Sequence, residues 1–273
     1  MIPETMQAVL LTGFRGPEKL EYRTEVPVPR PGEGEVLVKV GAAGIMGSER
    51  DGGVAQYVSV PAGNAHPVQS KVTDAELASF PVAYVTAERM LSRAGLDEGE
   101  TILVTGASGG VGSALVQLFL RRGAKVIALA GTGKEKPLEE LGVRVVTRQG
   151  EKLTARIREA AGDKPIDLAA DVVGGGLFMD LLNLIRPGGR LVTAGAIAGP
   201  LIELDLRRVY LNHLTIVGST MGARKEFKDV LGYIKAGEIR PLVARTYPLS
   251  EIREAQADFK EKGFLGKLVL VPD

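Results

Sequence analysis

The sequence predicts an α/β fold built on a doubly wound parallel sheet. From residue 101 onward, short apolar runs alternate with helical patterns, and the runs are apolar on both faces, as in strands that are covered on both sides. A glycine-rich turn joins the first of these runs to the first helical pattern. The six predicted strands are Thr101–Thr105, Lys125–Ala130, Val143–Val146, Ile166–Asp171, Arg190–Ala194 and Leu214–Ser219.

Four helices are predicted between these strands. Glycines, or a Pro-Gly-Gly turn, mark the helix ends at Gly123, Gly142, Gly162 and Arg186–Gly189. Six strands in this alternating order are the number found in a Rossmann dinucleotide-binding domain. The predicted helices are Val111–Arg122, Lys134–Leu141, Lys152–Ala161 and Phe178–Ile185.

The turn after the first of these strands predicts a pyrophosphate site. Glycines let the backbone approach a ligand, and the first turn of a helix offers unpaired N–H groups at its positive end. The dinucleotide pattern G-x-G-x-x-G is met as Ala107-Ser-Gly109-Gly-Val-Gly112, with alanine in the first place. A tight turn that binds no ligand is the alternative interpretation.

In a sheet of this kind, ligands bind beyond the carboxyl ends of the strands. Nearly every predicted strand end is small or rich in glycine, which favours an open binding edge over a purely structural sheet. These ends are Gly106–Gly112, Gly131–Lys136, Asp171–Gly176, Gly195–Ile197 and Ser219–Gly222.

The first hundred residues predict a β-rich module. Short strands at Gln7–Leu11, Glu35–Val40 and Val54–Val60 are separated by clusters of proline and glycine, and no helix is predicted before Asp74, where Thr73 or Asp74 is the expected cap. Residues 247–273 predict one helix and one strand, which we expect to return to this module.

Composition narrows the classes of partner. The 273 residues carry a net charge of +1, which does not favour nucleic acid, and the absence of a leader or membrane-spanning run predicts a cytoplasmic protein. With no cysteine, neither a disulfide framework nor a thiolate zinc site is expected. His66 and His213 are interpreted as structural, and no metal is expected.

Residues after the second of the six strands favour NADPH over NADH. An acidic side chain there would bind a ribose 2′-hydroxyl, but Ala130-Gly-Thr132 contains none. The hydroxyl of Thr132 and the ammonium groups of Lys134 and Lys136 follow instead, and the guanidinium of Arg148 lies just past the third strand. These groups suit a 2′-phosphate, and solvated surface charge is the alternative. The candidate cofactor-binding residues are Ala107, Ser108, Gly109, Gly110, Val111, Gly131, Thr132, Lys134, Lys136, Arg148, Gly195, Ala196, Ser219 and Thr220.

Several motifs together resemble the medium-chain dehydrogenase/reductase superfamily, in its zinc-independent quinone oxidoreductase branch. The resemblance implies a GroES-like β-barrel domain (1–86), a Rossmann domain (87–222) and a segment (223–273) that returns to the first. It also implies NADPH as cofactor, a quinone or enone-like substrate and a homodimer. The motifs are Gly32–Val40, Gly52–Val58, Thr86-Ala, Gly109–Gly112, Arg186–Arg190, Gly218–Thr220 and Gly266–Leu270.

One departure from this family concerns the GroES-like domain. After Glu35–Ile45, the segment Gly44–Asp51 leads directly to the later Gly-Gly-x-Ala-x-Tyr strand, so the middle of the domain is interpreted as deleted, by nature or by design. Two hypotheses follow: a reductase weakened by the loss of cleft strands, or an NADPH-binding protein with little turnover. No catalytic side chain is assigned; Tyr57 is the nearest candidate, with a core position as its alternative.

Overall fold

The computed structural model describes residues 2–13, 16–44, 53–162 and 164–272. The chain divides into two compact units: a β-rich unit, made of the residues up to Pro81 and those from Arg240, and a contiguous sheet unit, Val82–Ile239. The three-part division expected from the sequence, after residues 86 and 222, stays a prediction. The join at which we infer a deletion falls on residues 45–52, outside the described residues.

Thirteen strands are defined in the described residues. They are β1 (Thr5–Leu11), β2 (Leu20–Pro27), β3 (Glu35–Lys39), β4 (Ala43–Gly44), β5 (Tyr57–Pro61), β6 (Thr101–Thr105), β7 (Lys125–Ala130), β8 (Arg144–Thr147), β9 (Ile166–Asp171), β10 (Ile185–Thr193), β11 (Thr215–Gly218), β12 (Val243–Pro248) and β13 (Lys267–Val271).

Eight α-helices accompany these strands in the same part of the chain. They are α1 (Asp74–Ala94), α2 (Gly110–Arg121), α3 (Glu135–Glu139), α4 (Leu153–Ala161), α5 (Phe178–Leu184), α6 (Leu206–Tyr210), α7 (Arg224–Lys235) and α8 (Ile252–Glu261).

The sheet unit contains the predicted six-stranded parallel sheet, in the order β11-β10-β9-β6-β7-β8. Every residue of β6 is buried, as expected for a strand that is apolar on both faces. The strand order reverses between β6 and β9, so the two halves of the sheet run outward from this pair. The predicted doubly wound architecture is therefore confirmed.

Helix ends follow the sequence signals. The glycines after α2, α3 and α4 (Gly123, Gly142 and Gly162) all have positive φ, which closes each helix at no Cβ cost. At the start of α1, the Thr73 hydroxyl accepts from Glu76 N at 3.3 Å, and the Glu76 carboxylate accepts from Thr73 N at 2.8 Å. Thr73 is thus the cap, and Asp74 lies inside the helix.

Strand β10 differs from its prediction. The expected turn Arg186–Gly189 is part of a continuous strand, with a shift of register against β9 between Ile185 and Arg190. A Cβ on Gly189 would lie 2.3 Å from Ile185 Cγ2 and 2.8 Å from Asp167 O, so only glycine fits this irregularity.

The β-rich unit holds three small sheets: β1 with β2, β3 with β5, and β12-β13-β4. Strand β13 pairs antiparallel with β4, so the last strand shares a sheet with a strand from the first hundred residues. Tyr57 packs against a small cluster formed by Met6, Ala8 and Ala55, which favours the core interpretation of this tyrosine. Among the described residues, no helix has both the length and the apolar character needed to cross a membrane.

Candidate functional site

The glycine turn between β6 and α2 lies at the carboxyl edge of the sheet. Ala107 and Ser108 are buried, and Gly109 is an exposed, extended residue immediately before the first helical residue, Gly110. The amides of Gly110 and Val111 belong to the first turn, where the helix itself provides no acceptors. This turn therefore offers backbone donors, and the positive end of a twelve-residue helix, to an anion.

Two glycines of the motif serve different purposes. A Cβ on Gly112 would lie 2.1 Å from Gly106 O, so this position keeps the turn and the helix in contact. A Cβ on Gly109 would meet only Gly106 O, at 3.3 Å. This is a tight contact with one backbone oxygen, but no side chain lies within 4 Å of that position, so side chains leave the helix start uncovered there.

Residues that follow β7 and β8 come together at the same edge. Arg148 N donates to Ala130 O at 2.7 Å, and Thr132 N donates to the Gln149 side-chain oxygen at 3.1 Å. Arg148 and Thr132 are exposed side by side. Gln149 was not predicted from the sequence, because nothing in the pattern distinguishes it from the other polar residues of its loop.

The two predicted lysines follow the same turn. Lys134 is the residue before α3, and Lys136 lies in α3 with an exposed side chain. The positively charged groups predicted from the sequence at this end of the sheet are the guanidinium of Arg148 and these two ammonium groups.

On the other side of the switch point, the predicted residues follow β10 and β11. Ser219 N donates to Thr193 O at 2.8 Å, which holds Ser219 and Thr220 beside the end of β10. A Cβ on Gly195 would lie 2.9 Å from Val172 O, so Gly195 contacts the loop after β9. Ala196 contacts the same loop at Gly174.

A buried carboxylate lies at the end of β9. Asp171 is 1% exposed and accepts from Thr105 Oγ1 at 2.5 Å, from Val173 N at 3.0 Å and from Gly174 N at 3.0 Å. The Thr105 hydroxyl in turn accepts from Val172 N at 3.1 Å. The only sequence signal for this arrangement is a charged residue at the end of an otherwise apolar strand.

All the predicted cofactor-binding residues lie in the sheet unit, in the loops or the first helical turns that follow the carboxyl ends of its strands. The hydrogen bonds that fix these loops were not predicted from the sequence. In residues 2–13, 16–44, 53–162 and 164–272, no group of three or more histidine, aspartate or glutamate side chains could hold a metal ion.

Comparison with known proteins finds dehydrogenases and reductases that are similar to this chain. The zinc-binding dehydrogenase family model matches residues 110–236, which include α2 and most of the sheet unit. The chain is 27% identical to the quinone oxidoreductase of Rattus norvegicus, covering 97% of this chain and 98% of the rat protein. It is 31% identical to an acryloyl-coenzyme A reductase of Metallosphaera sedula, over 81% of this chain and 66% of that enzyme.

A solved structure of a candidate alcohol dehydrogenase from Sinorhizobium meliloti 1021 is 44% identical. It superposes with a TM-score of 0.97, covering 100% of this chain and 98% of that one. The rat alignment extends over 323 residues and includes 97% of the 273 residues of this chain, so the rat protein has about 58 residues without a counterpart here.

The sheet unit has all six strands of the predicted parallel sheet. The chain belongs to the medium-chain dehydrogenase/reductase superfamily, has quinone oxidoreductases among its relatives, and combines a Rossmann domain with a truncated GroES-like domain.

Proposed function

We propose that the protein is a zinc-independent oxidoreductase that uses NADPH to reduce quinones or activated alkenes. The observation that carries this proposal is the open helix start at Gly109, where backbone amides face the carboxyl edge of the sheet. When bound, the nicotinamide supplies a hydride. The names of two relatives, quinone oxidoreductase and acryloyl-coenzyme A reductase, support the class of acceptor.

In this proposal the chain's own residues bind the cofactor and orient it. Amides of Gly110 and Val111 receive the pyrophosphate, and Thr132 and Arg148 bind the adenosine end with its 2′-phosphate. The loops that contain Gly195 and Ser219 lie on the opposite half of the sheet and would line the nicotinamide. Transfer of a hydride to a quinone needs little acid–base chemistry, so no catalytic side chain is assigned.

The donor set does not fit the zinc site of alcohol dehydrogenases. A catalytic zinc of that kind is held by two cysteines and a histidine, and structural zinc by four cysteines, but the sequence contains no cysteine and two histidines. His66 belongs to the β-rich unit and His213 to the sheet unit. We therefore derive no step through zinc.

A second candidate is a cofactor-binding protein with little turnover. The truncation of the GroES-like domain favours it, because the residues that would orient a second substrate come from that domain in longer relatives. Loss of near-attack geometry can remove much of a rate enhancement even when the cofactor carries the chemistry. Binding of NADPH is expected under both candidates.

Turnover separates the two candidates. We expect a titration to detect NADPH binding, and NADPH oxidation with 1,4-benzoquinone, phenanthrenequinone and an enone to be slow or absent, because the substrate wall is shortened. Slow oxidation supports the reductase, and no oxidation above the protein-free rate supports the second candidate. Absorbance at the reduced-nicotinamide band measures the rate. Turnover on the order of 1–10³ per second with any of these acceptors would contradict the weakened form and support an ordinary reductase.

Selectivity for the 2′-phosphate is a separate prediction. Arg148→Ala is expected to raise the Kd for NADPH by about three- to tenfold, since an exposed charge-assisted contact is lost, and to leave the Kd for NADH unchanged. Lys125→Ala is the matched control, because it removes one positive charge at the opposite, amino end of β7. Equal wild-type dissociation constants for NADPH and NADH would mean that these cations are surface charge.

We propose, as the family resemblance implies, that the protein is a homodimer. Strand β11 pairs only with β10, so its other edge is unpaired within the described residues. Of the twelve exposed large apolar side chains of the described residues, eight lie between residues 197 and 221, which is an extensive apolar surface for a monomer. They are Ile197, Leu201, Ile202, Leu206, Tyr210, Leu211, Ile216 and Met221.

Light scattering tests the dimer. Wild-type protein is expected at twice the 28.9 kDa chain mass, and Ile216→Lys, which places a charge on the unpaired edge, at the monomer mass. Phe259→Lys is the control, because Phe259 is an exposed apolar side chain of the other unit, on α8. A wild-type monomer at micromolar concentration would refute the prediction.

A further inference from the structure

Asp171 is a buried acid that the proposed chemistry does not use. Its two carboxylate oxygens accept three hydrogen bonds, one from the Thr105 hydroxyl and two from backbone amides of the loop Val172–Gly174. No basic side chain of the described residues forms an ion pair with it. Its hydrogen bonds therefore fix the backbone of the loop Val172–Gly174 and are not part of an ion pair.

The loop that Asp171 fixes is packed between two other loops of the candidate site. On one side, a Cβ on Gly106 would lie 3.1 Å from the side chains of Val172 and Val173, at the start of the pyrophosphate turn. On the other side, Gly175 N donates to Gly199 O at 3.1 Å and Ala198 N donates to Val173 O at 2.9 Å.

Thr105 connects these loops. It is the last residue of β6, directly before the glycine turn, and its buried hydroxyl both donates to Asp171 and accepts from Val172 N. The pair thus joins the ends of β6 and β9 across the point where the strand order reverses. In a doubly wound sheet a dinucleotide crosses this point, with one mononucleotide half on each side.

We propose that Asp171, held by Thr105, is a positioning residue for the nicotinamide half of the cofactor. It fixes loop 172–174 against the 194–199 segment, so that the wall facing the nicotinamide has one arrangement before the cofactor binds. This inference rests on the proposed function. The adenosine half, over β7 and β8, lies on the opposite side of the switch point and is independent of the pair.

The test compares two ligands. In Asp171→Asn the amide nitrogen would oppose the Gly174 or Val173 amide, and in Thr105→Val both hydroxyl bonds are lost without a change of shape. Both variants are expected to raise the Kd for NADPH at least about tenfold, through the lost buried hydrogen bonds. The Kd for 2′,5′-ADP, which lacks the nicotinamide half, should stay within about twofold of the wild-type value, because its contacts are on the other half.

Thr105→Ser keeps the hydroxyl and is expected to restore wild-type binding of NADPH. Asp171→Asn could unfold the sheet. The comparison of Thr105→Val with Thr105→Ser, each checked by a thermal melt, tests the inference without that variant. Equal losses for both ligands, or no loss for NADPH, would overturn it and leave the proposed function standing. A folded wild-type protein that binds neither NADPH nor 2′,5′-ADP would instead overturn the proposed function, and the inference with it.

Discussion

Replacement of Gly109 by valine is expected to abolish NADPH binding and to leave the protein folded. The backbone at Gly109 has φ −76 and ψ 172, which valine adopts without strain, and a Cβ there meets only Gly106 O at 3.3 Å. The branched side chain would occupy the space over the first turn of α2, where phosphate must approach the amides. We expect the Kd to rise by at least about a hundredfold, close to 2.7 kcal/mol.

Calorimetric titration with NADPH, together with a thermal melt, measures this effect. Gly232→Val on α7 is the control, because a Cβ at Gly232 meets nothing within 4 Å and α7 contains none of the predicted site residues. Unchanged affinity in a folded Gly109→Val protein would remove the main support for the cofactor site.

The second large effect is expected from Gly112→Ala, and it concerns stability. The added Cβ would lie 2.1 Å from Gly106 O, 2.6 Å from Gly106 C and 2.8 Å from Ala107 Cα. These are backbone atoms of the buried turn, so they cannot rotate away, and α2 must shift from β6. We expect a loss of about 3 kcal/mol in the free energy of unfolding, the upper range for overpacked cores.

Denaturant or thermal unfolding measures the loss, at roughly 2–4 °C per kcal/mol for a unit of this size. Gly109→Ala is the matched control, since it adds the same methyl group three residues earlier, where the nearest atom is 3.3 Å away. If Gly112→Ala melts at the wild-type temperature, the close approach is not a constraint on the fold.

The sheet unit could be predicted because most of its strands are apolar on both faces and most of the loops that follow them are rich in glycine or other small residues. Other elements have weaker signals. Strand β2 is half exposed, and its more buried and more exposed residues alternate irregularly. Within the described residues it pairs with β1 alone. Helix α7 was not predicted, although Phe227, Val230, Leu231 and Ile234 have helical spacing; its residues were assigned only to the segment 223–273.

At the candidate site, the sequence predicted which edge of the sheet the residues occupy. It did not predict the contacts that these residues make. Carboxyl ends of parallel strands share one edge, so the turn at Gly109 and the loop at Arg148 are expected there from strand order alone. The bond from Thr105 to Asp171 depends on register between strands that are far apart in the chain. A sequence pattern carries no information about that register.

The return of the last strand to the first module has a consequence for the order of folding. The sheet unit is one continuous stretch, Val82–Ile239, and its parallel sheet can form as soon as that stretch has left the ribosome. Strand β4, in contrast, must wait for β13, its partner at Val269 and Leu270, which is synthesised last among the strands. The chain between β4 and β13 is long, but closing this loop costs little more entropy than closing a short one if the intervening residues are already folded. The nascent chain therefore has a Rossmann domain ready for its nucleotide while the β-rich unit is still incomplete.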